Sequence, residues 1–339
     1  MINIDNEVCA ELIRMLEENK RYGFLTKIKK IIKIKSPKRD IAFWPNALII
    51  YALIKEDAID SVRVLMSDWK RRKYRIENYD DILMGYILLS KTDLLNSDDR
   101  LLLINSINKS IEKYYNKVVP YRSHEEHLVY IDLLGMLPQY LCWYGCNYND
   151  NNYVQWAAMQ FDEFIQNATD ESTGLPYHVY DKKTGERLGL IGWGRSLGWI
   201  MIGLSESIIS LTDRYSEQRE KIVEIYKNYF KIIKSYQRRD GGFSWHLLKK
   251  GDHLDSSATS MILMSAYIAK DYLNFSMDDA ESLEKMYKCL SDCYDNGKVL
   301  DCSAECGGVG IYPQKYDSYA WSVAPYAIIR AIRSEDVKK

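Results

Sequence analysis

Gly174-Leu175-Pro176-Tyr177-His178 and Gly242-Phe243-Ser244-Trp245-His246 share one pattern: glycine, apolar, any residue, aromatic, histidine. Gly308-Val309-Gly310-Ile311-Tyr312 is a looser third copy. The leading glycines stand 68 (242 minus 174) and 66 (308 minus 242) residues apart, and a near-constant period of that size marks a repeated supersecondary unit. The chain between and around the copies is helical in period. Ile200, Ile202, Leu204, Ile208 and Leu211 are examples of this period, as are Ile222, Ile225, Tyr226, Tyr229 and Ile233. Leu12-Ile13-Leu16 and Ile82-Leu83-Tyr86-Leu89 follow the same spacing. Strand-like alternation is confined to Leu175–Tyr180 and Gly242–Leu248. Length alone suggests two domains at roughly 150 residues each, yet no Pro-, Ser- or Gly-rich linker divides the chain. Six units would have about 56 of the 339 residues each, enough for a helix hairpin and its loop. The expectation is an all-α, single-domain (α/α)6 toroid over residues 1–339, its inner helices and loops surrounding one pocket.

Composition narrows the function. With 46 Lys+Arg against 47 Asp+Glu the net charge is −1, which argues against a general nucleic-acid binder, since that needs a positive field over a long surface. The 47% hydrophobic and 27% charged residues are those of a globular protein. Residues 1–30 lack the apolar stretch of a signal peptide, and the longest apolar run, Ala47–Ile54, falls far short of the roughly 20 residues of a membrane span. Six of the seven cysteines form three C-x3-C pairs, Cys142/Cys146, Cys289/Cys293 and Cys302/Cys306. None has the tight CxxC-plus-His spacing of structural zinc. Packed thiols, no metal, no cofactor and a reducing cytoplasm are expected. The basic stretch Lys27–Arg39 reads as the solvated face of an amphipathic helix over Ile28, Ile31, Ile32 and Ile34.

Three places carry side chains suited to chemistry. Trp193-Gly194-Arg195-Ser196-Leu197-Gly198-Trp199 sets two indoles and a guanidinium among glycines. Indole faces stack on sugar rings and a guanidinium forks onto a carboxylate; equally, a helix-start turn could bury both indoles in the core. Ser123-His124-Glu125-Glu126 fits a capping box that would start a helix through Val129, Ile131, Leu134 and Leu137. Asp132 would then stand mid-helix on an apolar stripe, an expensive place for a carboxyl unless it is partnered, and one that suits general acid work. A buried cap or an arginine partner would explain it as well. Asp80-Asp81 precedes the apolar Ile82–Leu89 and reads first as a helix start. His124 and His127 suggest a metal site, and helix capping beside two glutamates explains them as well.

In chain order, Asp132, Gly174–His178, Trp193–Trp199 and Asp255-Ser256-Ser257-Ala258-Thr259-Ser260 resemble the unsaturated glucuronyl and rhamnogalacturonyl hydrolases, glycoside hydrolase families 88 and 105. The resemblance spans roughly Asp80 to Trp321, and Trp-Gly-Arg-x-x-Gly-Trp is its most specific part. It implies an (α/α)6 toroid acting on oligosaccharides that end in a 4,5-unsaturated uronic acid. There an Asp protonates the C4=C5 double bond and activates the water that adds at C5; that Asp matches Asp132. By the same resemblance His178, Trp193, Arg195 and Trp199 would line the uronate pocket, Arg122 would touch substrate, and an earlier acid would map to Asp80 or Asp81. Where the family usually has Gly-Asn inside the tryptophan motif, this chain has Ser196-Leu197, which implies an altered substrate. Two rival expectations follow: a toroid that binds glycan in surface-polysaccharide assembly without this activity, and a sugar epimerase using His178 and His246 as paired acid and base.

Overall fold

The computed structural model describes residues 7–19 and 41–338. Its helices are α1 (7–19), α2 (Trp44–Lys55), α3 (Ile59–Arg71), α4 (Asp81–Ser90), α5 (Ser97–Ile111), α6 (Pro138–Asn147) and α7 (Asn151–Ala168). After these come α8 (Gly194–Ser210), α9 (Ser216–Ser235), α10 (Ser256–Ile268), the single turn α11 (Lys270–Leu273), α12 (Met277–Asp292) and α13 (Ala320–Val337).

The helices sort into two kinds by sequence. In α2, α4, α8 and α10 almost every position is apolar or small, and the helices are buried on all sides; α8 is buried from Gly194 through Ile208. In α3, α7, α9 and α12 one apolar stripe faces a charged surface, as where Ile222, Tyr226, Tyr229, Phe230 and Ile233 form the buried side of α9. The apolar kind, with α6 and α13, makes the inner layer. α2 lies beside α4, α4 beside α6, α6 beside α8, α8 beside α10, α10 beside α13, and α13 returns to α2. This closed ring of inner helices, the first five each followed by an outer helix, is the expected (α/α)6 toroid. Because every outer helix runs back, all six inner helices begin at one end of the ring.

The repeated glycine segments lie at that end. Gly174 falls between outer α7 and inner α8, Gly242 between α9 and α10, and Gly308 between α12 and α13. The repeat is thus the loop that returns the chain from the outer layer to the inner one. At the opposite end the inner helices share a polar knot. Glu206 of α8 accepts from Tyr51 of α2 (2.8 Å), Tyr86 of α4 (2.6 Å) and Lys91 (2.6 Å). Burial and the Glu206 charge hold both tyrosine phenols well above their usual range.

Several expectations change. Asp132 is not in a helix interior. Leu128–Tyr130 forms strand β1, which pairs antiparallel with β2 (Val179–Asp181), itself paired with β3 (Arg187–Leu188). A tight 3-10 turn, Ile131–Gly135, follows β1 and carries Asp132. No helix starts at Ser123, and Glu126 accepts instead from Lys113 and Tyr114. Of the two strand candidates, only the end of Leu175–Tyr180 becomes strand. Gly242–Leu248 is a loop held by single bridges, Ser244 to Leu254 and His246 to Trp193. All seven cysteines are free thiols, and Cys142 and Cys289 are buried in helices. Among the described residues no group of acids, histidines and cysteines is arranged to hold a metal ion, and no helix is long and apolar enough to cross a membrane. The basic stretch Lys27–Arg39 lies outside the described residues.

Candidate active site

The pairing of β1 with β2 builds the centre of the site. Tyr130 stands opposite Val179, and one step further the Ile131 N–H donates to the carbonyl of His178 at 3.1 Å. Asp132 therefore leaves β1 alongside His178. Its Oδ2 lies 2.9 Å from His178 Nε2, both side chains being largely buried. The imidazole is boxed by aromatic rings, Trp193 at 4.7 Å and Tyr130 at 5.5 Å between centroids. On its far side Nδ1 lies 2.9 Å from the hydroxyl of Tyr312.

Asp132, His178, Trp193, Arg195, Trp199 and Arg122 line one cavity of about 280 Å³ at the end of the ring where the inner helices begin. Glu125, Glu305, Tyr121 and Trp44 complete much of its wall. Trp199 is almost fully buried, edge-on to Trp44 at 5.3 Å, so its indole serves the core as well as the cavity. Ser196 and Leu197 are absent from the wall. Leu197 is wholly buried in the core, and Ser196 donates to the Trp193 carbonyl at 2.7 Å. The motif's departure from the family pattern therefore falls on the core side of α8, away from the cavity.

The two arginines are held differently. Arg195 donates to the carbonyl of Ser303 (2.8 Å), the hydroxyl of Ser303 (3.0 Å) and the carbonyl of Ala304 (2.9 Å), its guanidinium between the rings of Trp193 and Trp321. None of these acceptors is a carboxylate. Ser303 in turn donates to Asp255, the N-cap of α10, at 2.7 Å. A buried cation tied to neutral oxygens keeps much of its charge for a ligand. Arg122 instead forks onto Asp80, at 3.0 and 3.4 Å, over the face of Tyr121. Burial and the nearby Asp80 keep the Tyr121 phenol well above its usual range.

The paired acids have different contacts, and neither lines the cavity. Asp80 accepts from Arg122. Asp81 turns away and accepts the backbone N–H groups of Glu77 and Asn78, at 2.8 and 2.9 Å, closing the loop before α4. His246 does not line the cavity. Its backbone pairs with Trp193 and its ring lies against Trp245, so the paired histidines of an epimerase do not face one space. Sequence reasoning passed over Tyr312, although the third glycine segment ends on it.

The profile of Glycosyl Hydrolase Family 88 matches residues 48–329, most of the chain. The chain belongs to Glycosyl Hydrolase Family 88. No curated protein sequence matches it. The solved structures it resembles include a possible member of glycoside hydrolase family 105 from Salmonella enterica (TM-score 0.74, 16% identity, 87% of this chain and 83% of that one). An unsaturated glucuronyl hydrolase specific for heparin matches with TM-score 0.68 at 16% identity over 99% of both chains. One from Streptococcus agalactiae matches with TM-score 0.65 at 18% identity over 86% and 82%. At such identities these likenesses establish the shared toroid, and the family-88 profile carries the assignment to the hydrolases.

Proposed function

We propose that this family-88 protein hydrates the C4=C5 double bond of a 4,5-unsaturated uronic acid ending an oligosaccharide, with Asp132 as acid and then base. The carrying observation is the Asp132 carboxyl in the cavity wall. One oxygen is held by His178, and the other, Oδ1, has no hydrogen bond among the described residues. Protonated Asp132 gives its proton to C4, leaving positive charge shared by C5 and the ring oxygen. Water adds at C5 and returns a proton to Asp132, which restores the acid. The hemiketal so formed at C5 then collapses and releases the remaining sugar.

The uronate carboxylate is assigned to Arg195, whose acceptors are neutral oxygens, with Arg122 beside it and the indoles of Trp193 and Trp199 against the ring. Asp80 contributes by holding Arg122. The unsaturated glucuronyl hydrolases among the structural neighbours support this substrate class. The same reading takes residues 1–339 as one domain working in the cytoplasm, supported by the closed ring and the free thiols.

The test follows the enoate's ultraviolet absorbance with a lyase-generated disaccharide. Wild-type protein is expected to bleach it and to leave the saturated disaccharide intact. General acid–base catalysis contributes roughly 10²–10⁴-fold, so Asp132→Asn should lose at least that much while its far-ultraviolet dichroism is unchanged. Asp132→Asn keeping more than about a tenth of the rate, against that expected loss, would remove Asp132 from the role.

A further inference from the structure

We propose that Tyr312 is a positioning residue that fixes the tautomer of His178 and thereby reserves Oδ1 of Asp132 for the reacting proton. The inference deepens the hydration reading and rests on it. Its starting point is the hydrogen-bond arithmetic of one hydroxyl. The Tyr312 oxygen accepts the backbone N–H of Leu190 at 2.9 Å and lies 2.9 Å from His178 Nδ1. A phenol has one proton to give. With Leu190 already donating to it, the partner at hand for that proton is Nδ1. Nδ1 then accepts, the ring proton sits on Nε2, and Nε2–H donates to Asp132 Oδ2 2.9 Å away.

The consequence reaches the carboxyl. A histidine with its proton on Nε2 cannot accept from Oδ2, so the proton of neutral Asp132 is left on Oδ1, the oxygen without a partner among the described residues. In the opposite tautomer Nε2 would accept that proton and draw it away from the cavity. Burial pushes the Tyr312 phenol up to about 12, so it remains a donor across the neutral range.

The surroundings are shaped for this contact. Gly189 has φ +80, and a Cβ there would stand 2.7 Å from the Tyr312 hydroxyl and 2.9 Å from His178 Cβ, so a side chain at 189 would part the two. The segment bearing Tyr312 turns through Gly308 and Gly310, both at positive φ, and is pinned by the Cys306 thiol, which donates to Gly308 O at 3.1 Å and Ile311 O at 3.4 Å. The loose third copy of the repeat thus ends on a residue that touches the histidine of the first.

The experiment uses the whole protein with ¹⁵N-labelled histidine, and Tyr312→Phe, which keeps the ring. Nitrogen shifts and one-bond N–H couplings should show His178 as the Nε2–H tautomer in the wild type and as mixed or Nδ1–H in Tyr312→Phe. Because one hydrogen bond biases such an equilibrium by up to about tenfold, kcat on the unsaturated disaccharide should fall in proportion to the Nε2–H population lost, by up to about tenfold, with KM nearly unchanged. An Nδ1–H His178 in the wild type overturns the proposal even if Tyr312→Phe does not fold. So does a Tyr312→Phe protein that melts lower but keeps kcat and the Nε2–H signature, which would leave Tyr312 a packing residue. Wild-type protein inactive on every unsaturated uronide would instead overturn the hydration reading, while the nitrogen signature still reports on the tautomer.

Discussion

Gly203→Ala tests the frame that carries Asp132 without touching any residue of the cavity. Gly203 is in the middle of α8, against the turn Ile131–Gly135. A Cβ at this position would lie 1.8 Å from the carbonyl oxygen of Leu134, whereas ordinary contacts begin at 3.4 Å. The deficit is 3.4 minus 1.8, about 1.6 Å, and the obstructing atom is backbone, which cannot swing aside as a side chain can. Either α8 backs out of the inner ring or the turn lifts, and Asp132 is only two residues from Leu134. Overpacking of this kind costs roughly 1–3 kcal/mol, and a shift of about 1 Å in a catalytic group costs roughly 10²-fold. Urea unfolding read by tryptophan fluorescence should show the stability loss, and enoate bleaching should show kcat falling about a hundredfold in protein that is still folded. A Gly203→Ala protein with the wild-type midpoint and kcat within about threefold, against that hundredfold, would mean that α8 does not press on the turn this closely.

Two further outcomes follow from contacts around the arginine and the loop. Asp255→Asn keeps the cap on Ser257 but loses the charged acceptor for Ser303, and one hydrogen bond is worth about 1 kcal/mol; KM for the unsaturated disaccharide should rise several-fold with kcat little changed, and the reverse pattern would detach Asp255 from Arg195. Burial raises the Cys306 thiol to about 11, so it is a neutral thiol at pH 7 and becomes the reactive thiolate only as pH climbs toward that value. Iodoacetamide labelling of Cys306, followed by peptide mass spectrometry, should be slow at pH 7 and speed up steadily in alkali; fast labelling at pH 7 would show an exposed or activated thiol.

The ring could be read from sequence because helical period runs through the chain without a linker and the glycine segments recur at 68 and 66 residues, near the length of a helix hairpin with its loop. Each of those segments turns the chain back toward the centre at the same end. Asp132 was misread for a physical reason. Leu128–Tyr130 carries no strand signal of its own and becomes strand only because Val179–Asp181, about fifty residues later, is there to pair with it. Likewise the tryptophan motif announced Arg195 but not its acceptors, Ser303 and Ala304, more than a hundred residues away. Asp80 and Asp81 look alike in the sequence. They part because one points at Arg122 and the other at the backbone of its own loop.

The common starting end of the six inner helices has an electrostatic consequence. Each helix points the positive pole of its macrodipole toward the same space, an effect of roughly 0.3–1 kcal/mol per helix on a nearby anion. Trp44 and Arg195 sit in the first turns of α2 and α8, and Trp199 in the second turn of α8, so their cavity opens where those poles converge. The chain as a whole is almost neutral, at −1, yet the helix poles add a positive contribution at the mouth of the ring, set against the carboxyls of Asp132, Glu125 and Glu305. Backbone supplies that contribution, and so it persists at any pH at which the protein stays folded.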